Sequence, residues 1–273
     1  MCTDAGGGLV EVVQQGERVR LEYRTIAAPS ANAPLLVFLH EGLGSLSAWR
    51  EFPDRLCAEG GLRGLVCSRA GYGRSTPRPH ATRWRPDFMH VQAREGLPAL
   101  LDALGVDTRT SPPWLFGHSD GASIALIYAA TFPARVAGVI AAAPHLFVED
   151  LSVRSIERAR DAYRSTDLRD RLARHHADVE SAFWGWNDIW LDPAFRDWNI
   201  EALLASIRCP LLAVQGHDDE YGTMAQIDSV RLGAPQAQLL KLAACGHAPH
   251  RDQPEALIAA TTAFIAQHAQ QVC

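Results

Sequence analysis

The chain has 273 residues, 47% of them hydrophobic, enough apolar material for one large domain or for a domain carrying an insertion. Its 31 acidic and 26 basic side chains give a net charge of -5, and the arginines are scattered, so no broad basic field exists to attract nucleic acid or an anionic membrane surface. No apolar run approaches the roughly 18 residues of a membrane span, and MCTDAGGGLV at the N-terminus lacks a basic flank followed by an apolar stretch, so neither a membrane anchor nor a leader is expected.

The six cysteines, Cys2, Cys57, Cys67, Cys209, Cys245 and Cys273, stand singly, with no CxxC pair and no small loop-rich framework to staple. Reduced thiols, a cytoplasmic setting and a small-molecule substrate follow as expectations.

From Leu9 to Ile26 apolar and polar residues alternate around a Gln-Gly turn, which predicts an antiparallel hairpin at a sheet edge. LLVFLH from Leu35 reads as a strand buried on both faces and opens into the Gly-rich turn LHEGLGS. Helical spacing follows over Trp49 to Gly60 and Asp87 to Leu104. PWLFGHS from Pro113 predicts a second buried strand, Ala122 to Phe132 a helix, and RVAGVIAAAPH a further apolar run ending at His145.

About 60 residues then pass before the buried strand CPLLAVQG at Cys209, far more than a simple connection needs. This insert, residues 146–207, begins with SIERARDAYRSTDLRDRLARHH and continues into FWGWNDIWLDPAFRDW. It predicts a helical cap over the strand ends, with residues 1–145 and 208–273 as the core. QLLKL and a helical stretch from Pro254 to Gln270 close the chain. Strands alternating with helices predict an α/β fold with a mostly parallel sheet covered on both faces.

Gly117-His118-Ser119-Asp120-Gly121 matches G-x-S-x-G between a strand and a helix, where a sharp turn leaves no space for flanking side chains and presents the central hydroxyl above the sheet. Ser119 is therefore the candidate nucleophile. The chain order serine, acid, histidine directs the search for a base to CGHAPH, where His247 follows a glycine in a loop and His250 is the competitor. For the acid, Asp219 lies just past the strand LLAVQG, with Asp218 as the alternate. No HExxH-like spacing points to a metal.

The ordered landmarks LHEGLGSLSAW, SRAGYGRS, GHSDG and GHDDEYGT with CGHAPHRDQPE resemble the α/β-hydrolase fold family over nearly the whole chain outside the cap. The resemblance implies a central sheet of about eight strands, no organic cofactor and a Ser119, Asp219, His247 triad. It also implies an oxyanion hole from the backbone N–H groups of Gly42 and Asp120, the latter following the nucleophile. The chain departs from the family pattern at Glu41, where many relatives carry glycine, and at Ser68, where many carry an acid.

A carboxylate beside a developing oxyanion would raise the barrier, so Glu41 must be paired, neutralised or turned away. Two readings are open: Glu41 pairs with Arg69 or Arg74 and braces the hole, or Glu41 and Asp120 make the pocket acidic for a substrate bearing a cation or several hydroxyls. An acid at position 120 is also favoured simply by the start of the helix. His40 and His118 read as structural.

Of the cap aromatics Phe183, Trp184, Trp186, Trp190 and Trp198, part should form the cap's own core. The rest would line an apolar pocket for an aryl or medium-sized acyl group. The pocket candidates are Glu41, His145, Trp184, Trp186 and Trp190. Hydrolysis of a carboxylic ester or lactone through an acyl-enzyme is the expected chemistry. C–C bond hydrolysis, thioester hydrolysis and a non-catalytic ligand receptor are the alternatives on the same scaffold.

Overall fold

The computed structural model describes residues 6–30 and 32–269; Cys2, Cys273 and the first five residues of MCTDAGGGLV lie outside them. The alternating N-terminal segment forms the hairpin β1 (Gly7–Gln14) and β2 (Glu17–Ile26), turning through Gln15 and Gly16, both at positive φ. β3 (Leu35–Leu39), α1 (Phe52–Gly60) and β4 (Arg63–Cys67) follow. The stretch from Asp87 holds α2 (Phe88–Val91), a π turn (Gln92–Gly96) and α3 (Leu97–Ala103). β5 (Trp114–His118), α4 (Asp120–Thr131) and β6 (Gly138–Ala142) lead into the insertion, which contains α5 (Asp150–Ser165), α6 (Leu168–Ala173) and α7 (Val179–Trp190). Two 3-10 turns end the insertion, and the chain closes with β7 (Leu211–Gly216), α8 (Ala225–Gly233), β8 (Gln238–Leu242), α9 (Pro249–Asp252) and α10 (Pro254–Ala269).

Among the described residues eight strands form one sheet in the order β1-β2-β4-β3-β5-β6-β7-β8. Only the β1–β2 and β2–β4 pairs are antiparallel. Side chains alternate across the sheet, as the strand period of two requires. Leu36, Phe38, Val66, Phe116, Ile140 and Val214 pack with Trp49, Phe52 and the helix residues Leu257 and Phe264 on one face. Val37, Leu39, Leu65, Leu115, Val139 and Ala213 pack with the almost wholly buried α4 on the other. Continuous apolar strands without a polar face follow from this double coverage.

The strand order reverses between β3 and β5, so the loops after their carboxyl ends flank a crevice of the kind where open α/β sheets bind ligands. The insertion lies beyond these strand ends and is tied to both loops. The His176 ring accepts from the Gly73 N–H (3.0 Å) and donates to the Leu43 carbonyl (3.0 Å), while the Trp190 indole donates to Asp120 (3.2 Å). Within the insertion, Tyr163 of α5 stacks on Phe183 of α7 with ring centroids 3.7 Å apart. Among the described residues no helix is long and apolar enough to cross a membrane. Cys57, Cys67, Cys209 and Cys245 are buried free thiols.

Candidate active site

Ser119 occupies the single-residue turn between β5 and α4 with φ 53° and ψ -120°, a strained conformation held by its N–H bond to the Ala142 carbonyl (2.9 Å). The flanking glycines are a steric requirement. A Cβ on Gly117 would lie 2.3 Å from the Gly121 carbonyl oxygen, and one on Gly121 would lie 2.0 Å from that of Leu39.

His247 Nε2 lies 2.9 Å from Ser119 Oγ, and His247 Nδ1 lies 2.9 Å from both Asp219 carboxylate oxygens. Asp219 is held in place on all sides: Oδ1 accepts from the N–H groups of Tyr221 (2.8 Å) and Gly222 (3.1 Å), and Oδ2 accepts from Gln215 Nε2 (2.7 Å). Asp218 is exposed and contributes only backbone here, its N–H reaching the Cys245 carbonyl. His250 is buried against Trp49, Phe52 and His118 with neither ring nitrogen hydrogen-bonded, away from the serine hydroxyl.

Burial pushes the Asp219 carboxyl up, but the hydrogen bond and charge of His247 and the Tyr221 N–H outweigh it and hold the group below its ordinary range. Burial pushes the His247 imidazole down; the bond and charge of Asp219, with further negative charge at Glu220 and Glu41, reverse that and hold it above its ordinary value. Between them, these groups favour an imidazole with its proton on Nδ1 and its lone pair toward the serine.

Gly42 and Asp120 lie on opposite sides of the crevice and both line the cavity that Ser119 faces. Neither backbone N–H donates to an acceptor among the described residues. The Asp120 side chain is buried; burial raises its pKa, Arg69 opposes that, and the Trp190 indole bonds to Oδ1.

Neither arginine expected to pair with Glu41 meets its carboxylate. Arg69 donates instead to the Glu41 backbone carbonyl (2.9 Å), and Arg74 engages Glu22 through its N–H. The Glu41 carboxylate turns toward His118 Nδ1 (3.5 Å) and Arg251 (3.8 Å). Burial raises its pKa, but the close approach of His118 holds it well below the usual carboxylate range. His118 donates from Nε2 to the His247 carbonyl (2.7 Å), so the residue before Ser119 carries the loop that holds His247.

The cavity, about 220 Å³, is walled by Gly42, Ser119, His145, Trp186, Trp190 and His247, with Glu41, Glu220, Tyr221 and Arg251 among its other residues. His145 is buried with its ring 4.8 Å from Trp190, and burial together with the nearby His247 lowers its pKa to about 3. Trp186 closes over the loop, such that a Cβ on Gly42 would lie 2.1 Å from its Nε1.

Trp184, expected in the pocket, is not among the lining residues: it bonds to Glu180 (2.8 Å) and packs on Tyr163 and Phe183 inside the insertion. Two residues apart on a helix, Trp184 and Trp186 face different sides, whereas Trp186 and Trp190, four apart, share one. Glu220, Tyr221 and Arg251 line the cavity without having been expected there, although all three sit in the two motifs that hold Asp219 and His247; the Tyr221 ring lies 4.7 Å from that of His247. Among the described residues no group of three or more His, Cys, Asp or Glu side chains is arranged to hold a metal ion.

Residues 36–260 match the alpha/beta hydrolase family. The chain is 24% identical over 266 residues to an sn-1-specific diacylglycerol lipase of Mus musculus, covering 86% of this chain and 82% of that protein. Among solved structures it is similar to the enol-lactonase from Burkholderia xenovorans LB400 (TM-score 0.71, 19% identity, 94% of this chain and 99% of that one). It is also similar to the proline iminopeptidase of Mycobacterium smegmatis (TM-score 0.75, 17% identity, 97% of this chain and 100% of that one). At such identities the structural likeness speaks for the fold alone, but the match over residues 36–260 takes in most of the sheet together with Ser119, Asp219 and His247, and the chain belongs to the alpha/beta hydrolase family.

Proposed function

We propose that the chain is a serine hydrolase that cleaves a carboxylic ester or lactone of a small substrate through an acyl-enzyme. The observation that carries this reading is the hydrogen-bonded series Asp219–His247–Ser119 facing a cavity lined by Gly42 and Asp120, whose backbone N–H groups have no acceptor among the described residues. His247 takes the Ser119 proton, the alkoxide attacks the carbonyl carbon, and the Gly42 and Asp120 N–H groups bind the resulting oxyanion. His247 then protonates the departing alcohol and activates the water that releases the acid, while Asp219 keeps the imidazole in the required tautomer.

A lipase and a lactonase among the similar proteins favour ester chemistry, whereas the iminopeptidase shows that the scaffold does not dictate the bond. A cavity of about 220 Å³ walled by indoles suits a small acyl or aryl group better than both acyl chains of a diacylglycerol. Residues 146–207 act in this reading as the cap that supplies the pocket walls Ile156, Trp186 and Trp190. The buried free thiols accord with a reducing, cytoplasmic setting.

The test is turnover on an aryl ester, an aliphatic lactone, an acyl thioester and a vinylogous 1,5-diketone, with a fluorophosphonate probe mapped by mass spectrometry. Ester or lactone turnover with the probe on Ser119 is the expected result. Diketone cleavage alone would replace ester hydrolysis by C–C hydrolysis, thioester turnover alone would make the chain a thioesterase, and an unlabelled Ser119 would sink the serine mechanism.

The pH profile adds an independent check. Because the charges around His247 outweigh its burial, the acid limb of kcat/KM is expected to have its midpoint above 6.5. Glu220→Gln removes one charge that favours the imidazolium, so its limb should move to lower pH. A wild-type midpoint below 6.5, or an unmoved limb in the variant, would contradict the assignment.

A further inference from the structure

We propose that Arg69 is a positioning residue for the oxyanion hole: a single buried guanidinium sets the Gly42 donor and offsets the carboxylate of Asp120, the residue that supplies the other donor. The proposal rests on the hydrolase reading above and concerns how that hole is built.

In a trans peptide the carbonyl and the following N–H point in opposite directions, and no cis peptide occurs among the described residues. The carbonyl of Glu41 therefore fixes the direction of the Gly42 N–H. Three donors converge on that oxygen: His40 Nδ1 (2.7 Å), Arg69 Nη2 (2.9 Å) and the Gly44 N–H (3.1 Å). With the oxygen held from behind, the N–H is directed away from Arg69, and Gly42 itself lines the cavity beside Ser119.

Arg69 acts twice on this peptide. Its backbone N–H donates to His40 Nε2 (3.0 Å), which leaves the ring proton on Nδ1, the nitrogen that holds the carbonyl. Its guanidinium then binds the carbonyl directly. A charged donor at the oxygen also polarises the amide and strengthens the N–H on its other end.

The same Nη2 lies 3.9 Å from Asp120 Oδ2, on the residue that supplies the second oxyanion donor. One cation thus spans the crevice between the loop after β3 and the start of α4. It also offsets a carboxylate whose unopposed charge would repel the oxyanion forming nearby. The Arg69 side chain is only 5% exposed and stacks on Tyr72 at 4.8 Å, so it is fixed and poorly screened.

Arg69→Leu, Arg69→Lys and the double variant Arg69→Leu/Asp120→Asn separate positioning from plain stability. The double variant removes both buried charges and so avoids leaving an uncompensated carboxylate. For Arg69→Leu, kcat on the accepted ester should fall by roughly 10- to 100-fold, a fraction of the loss of a whole oxyanion donor, with KM unchanged within about threefold. Fluorophosphonate labelling of Ser119 should slow in parallel. Arg69→Lys should recover part of the rate, and the double variant should recover melting temperature but only the share of kcat lost to the unopposed Asp120 charge, leaving the loss from the freed Glu41 carbonyl.

Full recovery of kcat in the double variant, or a loss confined to KM, would overturn the proposal. Wild-type labelling speed in Arg69→Leu would do the same while leaving the hydrolase reading intact. A wild-type protein that neither labels nor turns over would bring down the hydrolase reading and the positioning role with it.

Discussion

Ser119→Ala is expected to reduce kcat on the accepted ester by about 10⁴-fold or more, with melting temperature unchanged or slightly higher. The hydroxyl is the proposed attacking atom of the covalent intermediate, and among the described residues its side-chain hydrogen bond is to His247 Nε2. Among the described residues no other side chain bonds this hydroxyl: the elbow is kept by the Ser119 N–H bond to Ala142 and by the glycines on either side. The residual rate of the variant would reflect binding and the oxyanion donors acting on water, which catalyse weakly without a nucleophile. Kinetics on wild type and variant, with mass spectrometry for an acyl adduct, decide the matter. A variant retaining more than about a hundredth of the activity would show that another group attacks the substrate.

Asp219→Asn should lower kcat by roughly 10⁴-fold without unfolding the protein. The carboxylate accepts two backbone N–H groups at Oδ1 and the Gln215 amide at Oδ2, leaving only one arrangement for an asparagine that preserves the backbone bonds. That arrangement turns the new amide N–H₂ toward Gln215 and His247. Gln215 cannot flip freely to accept it, because its own N–H₂ also donates to the Gly222 carbonyl (3.0 Å). His247 would then place its proton on Nε2, where it faces the serine and cannot take the hydroxyl proton. Loss of the charge that raises the His247 pKa should also move the acid limb to lower pH. A loss smaller than about tenfold would remove Asp219 from the role proposed for it.

The parts of the fold legible in the sequence are those where one local pattern meets one environment. β3, β5 and β7 are apolar on both faces and announce themselves as continuous runs, and the β1–β2 hairpin shows its exposed face by alternation. β4, five residues with a glycine at its second position, and α8, nine residues whose outer face mixes Asp228 and Arg231 with the exposed Leu232, gave no comparable signal. The elbow could be located because its steric demands are local: strand, glycine, one residue, glycine, helix.

What failed was side-chain direction. The partner of Glu41 depends on how the chain leaves β3, and the choice of arginine looked only at charge, whereas Arg69 meets the backbone of the residue it was expected to pair with. Trp184 was grouped with Trp186 by composition, although helix geometry alone separates them.

The fastening of the insertion has a consequence for traffic through the site. His176 grips the Leu43 carbonyl and the Gly73 N–H, and Trp190 bonds the first residue of α4, so the roof is bolted to two walls of the chamber it covers. Such a roof behaves as a fixed doorway rather than a swinging flap. Admission then becomes a matter of girth, with the exposed Glu220 and Arg251 and the half-buried Glu41 as the charged side chains an entrant meets along the lining.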